Sequence, residues 1–228
     1  MRVSLTKYGL PQVVVLPAIV VAAMVILILV SFGSLPVWII LLTELILAVV
    51  LVWVLAFFRD PYRVVPADKN ILLAPADGKI TDIEVVDEEG FIGGRALRVG
   101  IFLSILDVHI NRSPCSAKVE KITYRQGRYK NAMSAQSGRV NESNDLWLIR
   151  TDSPEDRFIV RQISGVIARR IVCTAGEGQS LTGGEKFGMI KFGSRTELYL
   201  PVREDARCVV KVGDKVKAGV SVIVRYEI

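Results

Sequence analysis

The pattern of apolar and polar positions divides the chain into an apolar N-terminal part and a longer mixed part. Residues 13–32 form a run of 20 residues without a charge, and residues 37–58 form a run of 22 residues whose one charge is Glu44. Each run is long enough to cross a hydrocarbon core of about 30 Å as a helix. The turn-forming residues 33–36 separate the runs, so the pattern predicts a transmembrane helical hairpin within residues 1–58.

Basic residues flank this predicted hairpin on its outer ends only. Arg2 and Lys7 precede the first run, Arg59 and Arg63 follow the second, and the turn between the runs has none. Basic flanks favour the cytoplasmic side of a membrane. We therefore expect the cell membrane as the location, with both ends of the hairpin and the rest of the chain in the cytoplasm. The alternative is a buried hairpin of a larger soluble assembly, which the long charge-free runs argue against.

Glu44 is the unusual residue of the second run. An acid at the centre of a membrane helix costs about 2.5–3.5 kcal/mol on insertion scales, which the surrounding aliphatic residues outweigh. Two interpretations stay open. Glu44 is either part of a proton relay, or an acid that reaches toward the interface or pairs with the neighbouring helix.

After residue 58 the pattern changes to short runs rich in Val and Ile between Gly, Asp and Pro clusters. This pattern is typical of strands, and it predicts a mainly β (α+β) domain over residues 59–228 with few helices. Residues 168–173 fit either a strand or a short helix. The predicted strands cover residues 79–86, 96–103, 117–124, 145–151, 157–165, 187–192, 196–201 and 221–226.

Two glycine-bearing segments of this domain, residues 75–80 and 212–219, are similar to the hammerhead strands of lipoyl and biotinyl carrier domains. Glycines there suit tight turns between short strands. Neither segment contains the Met-Lys-Met or Asp-Lys-Ala centre that would carry biotin or lipoate. The similarity is therefore architectural.

Composition narrows the class of protein further. The chain is 51% apolar with a net charge of +6, and no nucleic-acid-binding motif accompanies that charge, so an anionic membrane surface is the expected partner and nucleic acid is not. Its three cysteines, Cys115, Cys173 and Cys208, lack the spacing of a zinc site and are odd in number for a disulfide framework. We expect buried thiols in a reducing compartment and no metal.

The candidate chemistry lies at Gly193-Ser194. A serine after a flexible glycine can turn its Oγ onto the preceding carbonyl carbon, because glycine has no Cβ to block the attack. The resulting ester can break by β-elimination, which leaves a dehydroalanine that hydrolyses to a pyruvoyl group. The bare dipeptide is common, and an ordinary turn or strand serine is the alternative.

Four motifs in order give this dipeptide a context. They are Phe57-Phe58-Arg59-Asp60-Pro61, Ala74-Pro75-Ala76-Asp77-Gly78, Asp107-Val108-His109-Ile110-Asn111-Arg112-Ser113-Pro114 and Phe192-Gly193-Ser194-Arg195. Together they resemble the short form of the phosphatidylserine decarboxylase proenzyme family, from about residue 57 to the C-terminus. The resemblance implies cleavage between Gly193 and Ser194 and a covalent pyruvoyl cofactor made from Ser194.

The resemblance also implies roles for particular side chains. His109, the single histidine of the chain, is expected to act as the proton carrier, and Asp77 is expected to orient it. Basic groups are expected to meet the phosphate of a membrane phospholipid substrate. The candidates are Arg112, Arg161, Arg169 and Arg170.

The sequence departs from the longer members of this family at two positions. Arg112 occupies the place of a second histidine to which self-cleavage is attributed there, and an arginine cannot act as a base near neutral pH. Either His109 serves both steps, or cleavage depends more on backbone strain and Asp77. Arg195 stands where threonine is common.

The leading hypothesis is a membrane-anchored, pyruvoyl-dependent decarboxylase that converts a serine phospholipid to the ethanolamine phospholipid. Its two cleaved chains are expected to stay associated, and a homo-oligomer stays open. Ester-linked and ether-linked lipids, phosphatidylserine and archaetidylserine, are both candidate substrates. The rival from another class is a non-catalytic membrane-tethered adaptor with a carrier-like β domain. A serine hydrolase ranks last, because Ser194 lacks a Gly-x-Ser-x-Gly elbow.

Overall fold

The structure is a computed structural model, and it describes residues 3–31, 33–130, 132–133, 137–165, 170–191 and 193–227. The chain divides into two compact units, Met1–Tyr62 and Arg63–Ile228. The first contains the two apolar runs and the motif of residues 57–61, and the second contains the other three motifs.

Two long helices dominate the first unit. They are α1 (Gln12–Ser31) and α2 (Val37–Phe57), within a residue of the predicted runs. Both are long and apolar enough to cross a membrane, with mean hydropathies of 3.3 and 2.9, and 6% of the most apolar window of each is buried inside the protein. Aliphatic side chains on nearly every face suit surroundings of lipid. The two helices therefore indicate membrane association.

The two ends of this unit are tied to each other. Strand β1 (Val3–Leu5) pairs antiparallel with β2 (Arg59–Pro61), and the Thr6 amide donates to the Phe58 carbonyl at 2.9 Å. The Phe58 ring is fully buried and lies where a side chain on Gly9 would collide with it. The segments that precede and follow the hairpin thus lie side by side.

Glu44 lies on a half-buried face of α2. Its Oε1 is buried without a hydrogen-bond partner among the described residues. The adjacent Thr43 hydroxyl donates to the Ile39 carbonyl of its own helix at 2.9 Å instead. The structure thus gives this oxygen no pairing contact, and both interpretations of Glu44 stay open.

The second unit is mainly β, as predicted. Its one described α-helix is the single turn α3 (Ser137–Val140). The strands are β3 (Ile71–Leu73), β4 (Gly78–Glu88), β5 (Gly94–Leu103), β6 (Ile110–Arg112), β7 (Ala117–Arg125), β8 (Ser143–Arg150), β9 (Arg157–Ile163), β10 (Ile171–Cys173), β11 (Ser180–Leu181), β12 (Lys186–Ile190), β13 (Ser194–Pro201), β14 (Ala206–Cys208), β15 (Lys215–Val216) and β16 (Val222–Tyr226).

These strands form one large sheet and two small ones. The eight-stranded sheet has the order β11-β7-β8-β9-β13-β5-β4-β15, and the three-stranded sheets have the orders β10-β12-β6 and β14-β16-β3. In the large sheet, β13 runs antiparallel to β9 on one side and to β5 on the other. It is therefore an interior strand, bonded along both edges.

The sequence predicted the long strands and missed the short ones. Strands β3, β6 and β14 have three residues each, too few to show a two-residue period. In the ambiguous stretch 168–173, Ile171–Cys173 forms a strand, and residues 166–169 lie outside the described residues. The two carrier-like segments do meet, since Lys215 and Val216 of β15 pair with Lys79 and Gly78 of β4.

Strand β13 alternates between two different environments. Leu198 and Leu200 point into the main hydrophobic core, which also contains Phe158, Ile101 and Leu148. The odd-numbered residues of the strand, Arg195, Glu197 and Tyr199, point to the opposite face and are also buried. Burial on both faces explains why β13 is a fixed element of the sheet.

Truncation of the core side chain of β13 should therefore destabilise this unit strongly. For Leu198→Ala we expect a loss of about 2–5 kcal/mol in the free energy of unfolding, because the buried leucine leaves a cavity. Chemical denaturation followed by tryptophan fluorescence measures this loss. Val202→Ala is the control, since Val202 is 48% exposed and surface changes usually stay within about 0.5 kcal/mol. Equal losses for the two variants would contradict this packing.

Candidate active site

Gly193-Ser194 lies where the chain crosses from one sheet to another. Strand β12 belongs to a three-stranded sheet and ends at Ile190, whereas β13 belongs to the large sheet and begins at Ser194. Gly193 has a φ of +66°, in the left-handed region. A residue with a side chain would be strained there, so glycine is required by the backbone at this crossover.

The Ser194 hydroxyl is buried and makes no hydrogen bond among the described residues. The residue as a whole has no solvent exposure. Leaving a buried hydroxyl unpaired costs about 1–3 kcal/mol, and such groups call for an explanation, a catalytic role among them. Pairing with Leu103 of β5 fixes the backbone of Ser194. The backbone of Ser194 is therefore fixed, and its hydroxyl makes no hydrogen bond among the described residues.

His109 contacts the glycine of this dipeptide. The imidazole is fully buried, and its Nε2 accepts the Gly193 amide at 3.3 Å. Its Nδ1 lies 2.9 Å from the Asp107 carbonyl oxygen. Since a carbonyl can only accept, Nδ1 carries the proton and Nε2 carries the lone pair in the neutral ring. The geometry thus places a basic nitrogen at the residue that precedes the serine.

Gly165 faces the carbonyl between Gly193 and Ser194. The register of β9 and β13, which pairs Ile163 with Arg195, brings the end of β9 opposite this dipeptide. A Cβ on Gly165 would overlap the Gly193 carbonyl oxygen and lie 3.0 Å from its carbon. The absence of a side chain at Gly165 therefore makes room for the carbonyl that Ser194 would attack. Sequence reasoning missed this residue, because only the strand register brings it here.

A chain of buried amides lies next to the dipeptide. The Asn111 side chain donates to the Thr196 hydroxyl at 3.0 Å, Gln162 donates to Asn111 at 2.9 Å, and Asn144 donates to Gln162 at 3.1 Å. The four side chains are almost fully buried. Satisfied buried networks of this kind hold their members in one arrangement. They fix Thr196, two residues after Ser194, and of these side chains only Asn111 lies in a motif that sequence analysis singled out.

Asp77 does not make the contact predicted for it. Its carboxylate forms a bidentate ion pair with Arg63 at 2.6 Å and accepts the Ala218 amide at 2.8 Å. The Asp107 carbonyl, not Asp77, bonds to Nδ1 of His109. An arginine fork binds a carboxylate more strongly than a neutral imidazole does, which explains why Asp77 points elsewhere. Asp77 instead joins the motif of residues 74–78 to the turn at Ala218.

The predicted phosphate-binding arginines have different surroundings. Arg161 is engaged by Asp145 at 2.7 Å through two nitrogens, and the acids around it raise its pKa against the effect of burial. Arg112 is 8% exposed and donates to the Gly184 carbonyl at 3.0 Å. Arg169 lies outside the described residues. Arg170 is exposed, so it is the described member of the set that solvent reaches freely.

Arg170 has a second cation beside it. The Lys191 amide donates to the Arg170 carbonyl at 3.3 Å, and Lys191 is two residues before Gly193. Burial and the neighbouring Arg170 charge lower the pKa of the Lys191 ammonium. A like charge nearby disfavours the charged form of the lysine. The sequence analysis did not single out Lys191, because one lysine in a basic chain carries no signal.

The outer face of β13 forms a buried ion network. Arg195 donates to Glu197 at 2.8 Å, to Asp82 at 2.7 Å and to the Thr81 hydroxyl at 2.7 Å. Burial raises the pKa of Asp82, but the hydrogen bonds from Thr81 and Arg195 outweigh it and the net pKa is lowered. The Tyr199 hydroxyl donates to Glu197 at 2.5 Å. Arg195, directly after Ser194, is thus anchored to β4.

Comparisons with known proteins place the chain in a family. The family model of phosphatidylserine decarboxylase matches residues 50–224. A phosphatidylserine decarboxylase proenzyme of Desulfotalea psychrophila is 44% identical over 169 residues, which cover 74% of this chain and 77% of the relative. The proenzyme of the same name from Carboxydothermus hydrogenoformans is 40% identical over 183 residues, 80% of this chain and 84% of that protein.

The matched region contains the crossover at Gly193-Ser194 and both sheets that meet there. Its curated relatives are named as proenzymes of a decarboxylase, which is the class of self-processed carboxy-lyases. The chain belongs to the phosphatidylserine decarboxylase family, as the motifs indicated. Among the described residues, no group of three or more His, Cys, Asp or Glu side chains is arranged to hold a metal ion.

The Gly165 contact generates a direct prediction. In Gly165→Ala the new methyl group would displace the Gly193 carbonyl, so we expect cleavage before Ser194 to slow by at least about tenfold, as small misplacements of reacting atoms do. The cleaved fraction is followed by gel electrophoresis after cell-free synthesis of the full chain.

Gly176→Ala is the matched control, because a Cβ on Gly176 would meet no atom within 4 Å. It should be cleaved at the rate of the unaltered chain. Near-normal cleavage of a folded Gly165→Ala chain would contradict the role of Gly165.

Proposed function

We propose that this protein is a membrane-anchored phosphatidylserine decarboxylase whose pyruvoyl group forms by self-cleavage between Gly193 and Ser194. The observation that carries the proposal is the buried, unpartnered Ser194 hydroxyl beside a left-handed Gly193, in a chain of this family. The names of the relatives support phosphatidylserine as the substrate. A non-catalytic adaptor would have no use for an unpaired serine at this position.

Self-cleavage begins with the Ser194 hydroxyl. Its Oγ attacks the Gly193 carbonyl carbon, the Gly193–Ser194 amide bond breaks, and the chain is joined by an ester. Loss of the Ser194 Cα proton then expels the Gly193 carboxylate and leaves a dehydroalanine at residue 194. Water hydrolyses its tautomer and ammonia leaves, so that the second chain begins with a pyruvoyl group. No outside oxidant or reductant is consumed.

His109 is the side chain best suited to move the protons of these steps. Its Nε2 carries the lone pair and lies at the Gly193 amide, one residue from the serine. Hydrogen bonding of Nδ1 to the Asp107 carbonyl fixes this tautomer. General acid and base catalysis typically contributes about 10²–10⁴-fold. We assign both proton steps to His109, since Arg112 donates to Gly184 and cannot accept a proton.

The site suits a pyruvoyl group at residue 194. The Ser194 oxygen is buried and makes no hydrogen bond among the described residues, and the Asn111 amide holds Thr196 two residues further along the strand. The group would supply a ketone that condenses with the substrate amine and takes up the electrons left when CO2 departs. His109 then holds the proton that replaces the carboxylate.

The cleaved chains should stay associated. Residues 194–228, a piece of 35 residues, contain β13, which is bonded to β9 and β5, and also β15 and β16, which pair with β4 and β3. Arg195 adds a buried ion pair to Asp82 of β4 at the new chain end. Cutting one bond at the start of β13 removes none of these contacts.

The lipid phosphate is proposed to meet Arg170, which is exposed and whose carbonyl accepts the backbone amide of Lys191, two residues before Gly193. Arg161 is paired with Asp145 instead. Two helices able to cross a bilayer support membrane anchoring, and the basic flanks support a cytoplasmic location of the catalytic unit.

Substitution of the serine tests the proposal directly. Ser194→Ala has no hydroxyl to attack Gly193, so we expect a single uncut chain and no release of CO2 from carboxyl-labelled phosphatidylserine. The methyl group of alanine fits the buried position, so the variant should fold and fractionate with membranes. Retained decarboxylation in Ser194→Ala would rule out the pyruvoyl mechanism here.

Loss of the imidazole should affect two separable steps. In His109→Ala we expect maturation to slow by about 10²-fold, because the proton carrier at Gly193 is removed. The fraction that does mature should decarboxylate slowly as well. Asp77→Asn weakens the Arg63 pair and should mainly slow maturation. The cleaved fraction over time and the turnover per cleaved molecule separate these effects, and normal values of both in His109→Ala would remove histidine from the mechanism.

A further inference from the structure

The turn between β5 and His109 presents two aliphatic side chains to solvent. Ile105 is 43% exposed and Leu106 is 68% exposed. The turn is closed by its own hydrogen bonds: the Asp107 amide donates to the Ser104 carbonyl at 2.9 Å, and the Ser104 amide donates to the Asp107 carboxylate at 2.8 Å. These hydrogen bonds fix the turn, so the side chains of Ile105 and Leu106 stay exposed to solvent.

This turn lies at the rim of the candidate active site. Ile105 Cγ2 is 4.0 Å from the position that a Cβ of Gly193 would take. On another side of Gly193 lies Gly165, whose own Cβ position is 3.4 Å from Ala132. The next residue, Met133, is 58% exposed. Exposed apolar side chains thus occur on two separate segments, at Ile105 beside Gly193 and at Met133, the residue after Ala132.

Cations accompany these apolar side chains. Lys130 is exposed, and its backbone is joined through the Asn141 side chain to Ser164, the residue before Gly165. Arg170 is exposed, and its backbone carbonyl accepts the amide of Lys191, two residues before Gly193. The nearby acid Asp107 turns its carboxylate to the Ser104 amide. Exposed aliphatic side chains with cations beside them suit the surface of an anionic bilayer. There, apolar groups enter the boundary of the acyl chains and cations bind phosphates.

We propose that Ile105, Leu106, Lys130, Met133 and Arg170 form a docking rim that inserts into the surface of an anionic phospholipid bilayer around the Gly193-Ser194 site. The inference rests on the proposed function and deepens it, since a lipid headgroup could enter the site without its acyl chains leaving the bilayer. The same chain has two helices that are long and apolar enough to cross a membrane, which supports a bilayer as the binding surface.

The first test is positional and independent of activity. The full-length protein is reconstituted in vesicles of phosphatidylglycerol and phosphatidylcholine, with an environment-sensitive fluorophore on Leu106→Cys. Labelling of the unaltered chain, with its three cysteines, is subtracted. We expect a blue shift and quenching by lipids brominated on their acyl chains. Val202→Cys is the control, because Val202 is 48% exposed and follows the end of β13 opposite Ser194.

The second test compares two forms of substrate. Leu106→Glu should lower turnover of vesicle-borne phosphatidylserine by about tenfold, because it places a charge where the proposal puts a leucine side chain in the bilayer. Its loss on a monomeric short-chain phosphatidylserine should be at least fivefold smaller. Val202→Glu should leave both rates as they are in the unaltered chain. Self-cleavage serves as the folding control for each variant.

The outcomes separate the two levels of the proposal. Absence of quenching at residue 106 beyond that at residue 202 would overturn the docking rim, as would equal losses of Leu106→Glu on both substrate forms. A blue shift in detergent that depends on protein concentration would assign the rim to a second copy of the chain and likewise overturn it. Absence of decarboxylation by the unaltered chain on either substrate, with quenching present, would refute the proposed function and leave the docking rim in place.

Discussion

The structure depends on the way β13 is held. One face of this strand carries Leu198 and Leu200 into the core, and the other carries Arg195 and Glu197 into a buried ion network. Both edges are bonded, to β9 and to β5. Because Ser194 is the first residue of so constrained a strand, its hydroxyl has a defined position. The preceding Gly193 absorbs the change of direction between the two sheets through its left-handed conformation.

A strand fixed on all sides also explains how a chain can be cut without coming apart. The bond proposed to break lies at the start of β13, where the covalent connection contributes little to the packing. The Arg195–Asp82 ion pair and the pairing of β13 with β9 and β5 all join the two pieces. Cleavage can therefore create a new chain end within a core that is already folded.

The long elements of this fold could be predicted from the sequence because their patterns are local. The two apolar runs and the strands around residues 79–86 and 96–103 are examples. The site was predictable only in part. Gly193, Ser194 and His109 stand out in motifs, but Gly165 and Gln162 reach the site through strand register and leave no local signal. The orienting role of Asp77 was wrong in its geometry, because a sequence does not reveal that Arg63 competes for the carboxylate.

Ser194 is proposed to become the pyruvoyl end of a second chain. Intact-mass measurement of the purified, unaltered protein tests this proposal. We predict two species, residues 1–193 and residues 194–228, with the shorter one lighter by one ammonia than the same peptide with an N-terminal serine. A single species with the mass of the full 228-residue chain, in a preparation that decarboxylates phosphatidylserine, would contradict the account.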